Sequence, residues 1–157
     1  MRGAPIRAYA DTSVFGGVVD PEFSEASRRF LEHVREGRVS LVISGLVQEG
    51  IQEGPEPVRA ALDDMLSYAE LVEIEHDAYA LHVAYVKYEV VTERWAADAL
   101  HVATASVSRC AMIVSWNFRH IVNFRRIPLY DAVNALMGYP PMAIHSPPEV
   151  RFDEEEL

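Results

Sequence analysis

A single cysteine, Cys110, stands among 157 residues, so no disulfide can form within the chain. It opens an apolar run and reads as a small buried hydrophobe rather than a nucleophile. No stretch of about 18 uninterrupted apolar residues occurs, which excludes a membrane-spanning helix. Met1-Arg-Gly-Ala-Pro-Ile-Arg7 carries no hydrophobic signal region, and a cytoplasmic protein is expected. Positive charge is scarce too. Lys and Arg number 14 against 24 Asp and Glu, and a net charge of −10 argues against coating nucleic acid through bulk electrostatics. Several site signatures are missing. Gly16-Gly17 follows the first apolar run, but there is no Gly-x-Gly-x-x-Gly for a dinucleotide and no phosphate loop ending in Gly-Lys-Ser/Thr. No Gly-x-Ser-x-Gly elbow marks a hydrolase nucleophile, and no His or Cys spacing suits zinc. Asp11-Thr-Ser13 also lacks the second Asp of aspartyl-phosphate phosphatases.

What remains is a chain half apolar, long enough for one domain with its own core. Short apolar runs alternate with helical periodicity. Strands are expected at Ile6–Ala10, Val39–Ile43, Leu71–Ile74 and Ala111–Val114, with a last short one at Ile127–Tyr130. Helices are expected over Glu25–Glu36, from Ser44 to Gln52, from Glu56 to Ala69, over Asp77–Val91, from Thr92 to Ser108 and over Asp131–Met137. This alternation predicts a three-layer α/β/α sandwich around a mainly parallel sheet, as a single domain over residues 1–145. Residues 146–157 read as a Pro-containing tail ending in the acidic run Asp153–Glu156.

Two acids stand out. Asp98 is a charged group in Trp95-Ala-Ala-Asp-Ala-Leu-His-Val-Ala-Thr-Ala105, a helix of small and aliphatic residues. A carboxylate there loses hydration and needs a partner such as a cation. Asp11 ends the first strand, at the sheet edge where open α/β folds bind ligands. Ser115 and Asn117 end a later strand, and Ser44 leads into a helix carrying Glu49. In a parallel sheet these positions converge on one edge. Carboxylates gathered without a lysine suit Mg²⁺ or Mn²⁺. His101 shares the Asp98 helix face, and both it and His120 read as packing or hydrogen-bonding residues.

In order along the chain, Tyr9-Ala-Asp-Thr-Ser13, the helix after Val42-Ile-Ser-Gly-Leu-Val, Asp98-Ala-Leu-His-Val-Ala-Thr-Ala and Ile113-Val-Ser-Trp-Asn-Phe-Arg-His120 resemble the four motifs of PIN-domain nucleases. The overall pattern is most similar to VapC-type toxins of toxin–antitoxin operons and spans about residues 6 to 135. The resemblance implies an α/β/α sandwich with an acidic Mg²⁺ or Mn²⁺ pocket, ribonuclease activity, homodimers and an inhibitory antitoxin. Asp11 matches the first acid and Asp98 the third. Asn117 falls where the fourth is commonly Asp, and Ser115 matches a small hydroxyl residue that can hold the metal or its water. The second acid is the departure: Gly50 precedes Ile51 where Glu is usual, leaving Glu49 or Glu53 to substitute. Arg119 is a candidate contact for RNA phosphates.

The leading expectation is therefore a metal-dependent endoribonuclease with Asp11, Asp98 and Glu49 catalytic, and with Asn117 added to those three as metal ligands. The alternatives are a PIN-like binding or scaffold protein that has lost catalysis, and a small-molecule phosphohydrolase on a similar sheet. The apolar stretch Leu129–Met142 is a candidate dimer surface.

Overall fold

Val39-Ser-Leu-Val-Ile43 and Met112-Ile-Val114 are rich in β-branched residues, a composition that suits strands buried on both faces. The computed structural model of the protein describes residues 3–152. Five strands, β1 (Ile6–Ala10), β2 (Val39–Ser44), β3 (Glu70–Val72), β4 (Met112–Val114) and β5 (Ala143–His145), form one parallel sheet in the order β3-β2-β1-β4-β5. Tyr9 lies level with Val42 on one side and Ile113 on the other. Flanking helices complete an α/β/α sandwich: α1 (Thr12–Gly16), α2 (Ser24–Arg35), α3 (Gly45–Ile51), α4 (Glu56–Met65), α5 (His76–Lys87), α6 (Ala96–Val107) and α7 (Ile127–Met137).

Tyr9, Phe15, Leu41, Ile43, Leu81 and Ile113 are fully enclosed. Burying a large apolar side chain of this kind contributes about 1.5–3 kcal/mol. Helix α6 is buried nearly all round, and its polar members are satisfied locally. Thr104 Oγ1 donates to the Leu100 carbonyl at 2.7 Å, and Ser106 Oγ to that of Val102 at 2.8 Å. A buried polar knot ties α5, α6 and α7. The Tyr85 hydroxyl donates to Asn134 Oδ1, and Asn134 Nδ2 donates to Ser106 Oγ at 3.0 Å. Among the described residues no helix is long and apolar enough to cross a membrane.

The order of strands creates one switch point. From β1 the chain lays β2 and β3 to one side, then crosses back to place β4 and β5 on the other. The carboxyl ends of β1 and β4 therefore lie side by side where connections diverge, the usual ligand crevice of such sheets.

Several elements differ from the sequence reading. Ile127–Tyr130 is the first turn of α7, not a strand. Pro128 suits a helix start, and the Tyr130 N–H bonds the Arg126 carbonyl at 2.8 Å. The last strand is instead β5, a three-residue edge element between proline pairs and too short to carry periodicity. Helix α5 stops at Lys87 because Glu89 adopts a left-handed φ of 60°. The Thr92 helix begins as a 3₁₀ turn, Glu93–Trp95, before α6. The third strand is shifted to Glu70–Val72. Beyond β5, a 3₁₀ turn at Pro147–Glu149 buries Pro147, and Val150 joins the core. The acidic run Asp153–Glu156 lies outside the described residues.

Candidate active site

Asp11 follows β1 directly and caps α1, its backbone extended at φ −81° and ψ 178°. The carboxylate is 4 % exposed and spans the switch point. Oδ1 accepts from the Ser13 N–H at 3.1 Å and from Ser13 Oγ at 2.5 Å. Oδ2 accepts from Ser115 Oγ, at the end of β4, at 2.6 Å. The two serines are tied in turn: Ser13 Oγ accepts from the Trp116 N–H at 2.8 Å, and Ser115 Oγ accepts from the Asn117 N–H at 2.9 Å. The β1 and β4 ends are thus stitched together through one carboxylate. Burial raises the Asp11 carboxyl above its ordinary range, opposed by His101 and the serine hydroxyls.

The other half of the site comes from α6. His101 stands in the field of both Asp11 and Asp98, and burial holds its imidazole below the ordinary value. Its Nδ1 lies 2.8 Å from the Tyr9 hydroxyl, which also bonds Ser44 Oγ at 2.7 Å. Ser44 at the end of β2 therefore spends its hydroxyl on Tyr9 rather than capping α3. Asp98, one helical turn from His101, keeps 29 % of its side chain exposed. Its Oδ2 lies 2.9 Å from His120 Nδ1, and the His120 ring stacks on Trp95 at 4.5 Å between centroids. The Tyr130 hydroxyl, donating to the His120 carbonyl at 2.7 Å, anchors that histidine from α7.

The fold brings Asp11 against Ser115 and puts His101 in the field of both Asp11 and Asp98. It does not bring Glu49 to them. That side chain is exposed and lines a groove between α3 and α4 with Gln52, Arg59 and Asp63; Glu53 is exposed beyond it. The Asn117 amide oxygen accepts from the backbone N–H groups of Arg119 (3.2 Å) and His120 (2.9 Å), so it holds the turn after β4. Arg119 is exposed, its guanidinium 5.8 Å from the Trp95 ring centre. At Gly50 an added Cβ would lie 2.7 Å from Thr12 Oγ1 and 2.8 Å from Thr12 Cγ2. The space that a second acid's side chain would leave through is filled by Thr12.

Among the described residues, no group of three or more His, Cys, Asp or Glu is gathered closely enough to hold a metal ion. Two carboxylates remain, Asp11 buried among hydroxyls and Asp98 partly exposed beside His120. That donor set fits Mg²⁺, which keeps several waters and takes one or two carboxylates alongside a substrate phosphate. Sequence reasoning passed over Tyr9 and Trp95. The three-residue spacing from Trp95 to Asp98 was the available signal for the latter.

No family model and no curated protein matches this sequence. Among solved structures, the chain is similar to a chain of VapBC2 from Rickettsia felis, crystallised with a DNA fragment from their promoter. Identity is 14 %, the TM-score is 0.59, and the match covers 90 % of this chain and 98 % of that one. Likeness at this identity is likeness of fold, and the fold is PIN-like.

Proposed function

We propose that this protein is a metal-dependent ribonuclease and the toxin half of a toxin–antitoxin pair. The observation that carries the reading is Asp11, buried at the switch point between two serines, with Asp98 across His101 on α6. Asp11 and Asp98 would hold the cation. Bound there, Mg²⁺ or Mn²⁺ supplies Lewis acidity toward a phosphate and acidifies water. Ser13 and Ser115 fix the orientation of the Asp11 carboxylate, and His120 fixes that of Asp98. Arg119 stands outside the acids, where it would meet a phosphate oxygen. The fold likeness to VapBC2 supports an antitoxin partner, and exposed Leu129, Leu136 and Met137 on α7 support a homodimer. A cytoplasmic location belongs to the same proposal.

A second reading, a PIN-like binding protein without catalysis, is favoured by Thr12 occupying the space beside Gly50 and by the lack, among the described residues, of a third acid gathered with the other two. One experiment separates them. A pool of structured RNAs is incubated with wild type, Asp11→Asn and Asp98→Asn, in Mn²⁺ and in EDTA. Cleavage that needs metal and both acids supports the nuclease. Intact RNA at high enzyme, together with no Mn²⁺-dependent rise in melting temperature, moves the conclusion to the binding protein.

A further inference from the structure

A net charge of −10 leaves this chain few ways to grip a polyanion, so local cations and uncharged contacts near the acids matter most. One cluster supplies both. Trp95 closes the 3₁₀ turn before α6, one helical turn ahead of Asp98. His120, the residue bonded to Asp98, packs against one face of its indole at an interplanar angle of 26°. The Arg94 and Arg119 guanidinium carbons lie 5.0 Å and 5.8 Å from the indole centre. Both arginines are exposed, and among the described residues neither forms an ion pair. The backbone behind Arg119 is fixed, because Arg126 donates to the Arg119 carbonyl at 2.8 Å and to the Val90 carbonyl at 2.6 Å.

Two guanidinia lying against an aromatic ring without a carboxylate are held only by weak cation–π attraction. A phosphate offers them stronger, charge-assisted hydrogen bonds. Their departure would uncover indole surface, which is a stacking platform for a nucleobase. A base inside a duplex has both faces covered, so only an unpaired one fits.

We infer that Trp95, Arg94 and Arg119 form a subsite for one unpaired nucleotide of a single-stranded nucleic acid, its base on the indole and its phosphate on the arginines. The inference rests on the acids facing a nucleic acid, but not on cleavage. It places an unpaired nucleotide next to Asp98, because His120 bonds that acid and packs on Trp95.

The test is fluorescence anisotropy in EDTA, where no cleavage intervenes. A labelled single strand of roughly ten nucleotides is compared with the same strand in a duplex. Trp95→Ala is expected to weaken single-strand binding about tenfold and to leave duplex binding unchanged. Trp95→Tyr restores most of the loss. Arg94→Gln and Arg119→Gln each flatten the dependence of log K on log salt by roughly 0.7. Wild-type binding of Trp95→Ala overturns the subsite. So does an equal loss in Trp95→Tyr, which would mark a packing role against His120, and so does wild type that binds no single strand. The nuclease reading fails separately: a Trp95-dependent binder that never cuts RNA with Mn²⁺ keeps the subsite and loses the enzyme, whereas a working nuclease with unchanged KM in Trp95→Ala does the reverse.

Discussion

Gly50→Ala adds a single carbon at the point where α3 approaches α1. That carbon would sit 2.7 Å from Thr12 Oγ1, 2.8 Å from Thr12 Cγ2 and 3.3 Å from Thr12 Cβ. Comfortable carbon contacts are about 3.5–4.0 Å, so Thr12 must retreat by almost an ångström. Thr12 is β-branched, sits in the first turn of α1 and follows Asp11 directly, so its escape by rotation is restricted. Overpacking of this kind costs about 1–3 kcal/mol. Alanine is about 1 kcal/mol better than glycine inside a helix, which offsets part of that. The expected net loss is about 1 kcal/mol, or roughly 2–4 °C in Tm for a chain of this size. Thr12→Ala removes the two nearest atoms and leaves only Cβ. On that background Gly50→Ala should stabilise by about 0.5–1 kcal/mol. Urea melts of the four proteins therefore yield a coupling energy near 2 kcal/mol. Additivity within about 0.5 kcal/mol would refute the steric account. The same pair governs the missing acid: Gly50→Glu alone should only destabilise, and Gly50→Glu with Thr12→Ala is the variant in which a third carboxylate has room.

Three further outcomes follow from the site and core. Burial holds the Asp11 carboxyl above its ordinary value near 3.9, so the folded chain binds more protons than the unfolded chain between that value and the folded one. Stability from this group is present at low pH and lost as pH rises through the folded value. Metal-free Asp11→Asn should therefore match or exceed wild type near neutral pH, with the gap closing toward the acid range. A gap that widens on acidification in urea melts with EDTA would contradict this. Ser115→Ala strips Asp11 Oδ2 and the Asn117 N–H of their partner and should cost about 1–3 kcal/mol; a melt indistinguishable from wild type would show the stitch to be idle. Tyr85→Phe leaves buried Asn134 Oδ1 without its donor and should also cost about 1–3 kcal/mol, read as a lower urea midpoint with unchanged slope.

The alternation of strands and helices, the parallel sheet and the first acid at a strand end were written in local pattern. Val39–Ile43 announces a buried strand through branched apolar residues alone, and Asp11 follows β1 whatever its neighbours do. Ile127–Tyr130 was ambiguous because four apolar residues fit either state; in the fold Pro128 sits in the first turn of a helix and the Tyr130 hydroxyl is tied to the His120 carbonyl. β5 was invisible because a three-residue edge strand draws its identity from the β4 edge it joins. The site divides in the same way. The sequence by itself named Asp11, Asp98 and Ser115 and flagged Gly50 as a departure. Tertiary structure decided where the remaining candidates lie. It turned Glu49 into the α3–α4 groove and bound the Asn117 oxygen into a turn, because a residue's angle around a helix and its free lone pairs depend on neighbours distant in the chain. Only the fold could set Tyr9 under His101, Trp95 against His120 and Thr12 into the space beside Gly50. These are contacts between elements, and no local stretch of sequence encodes them.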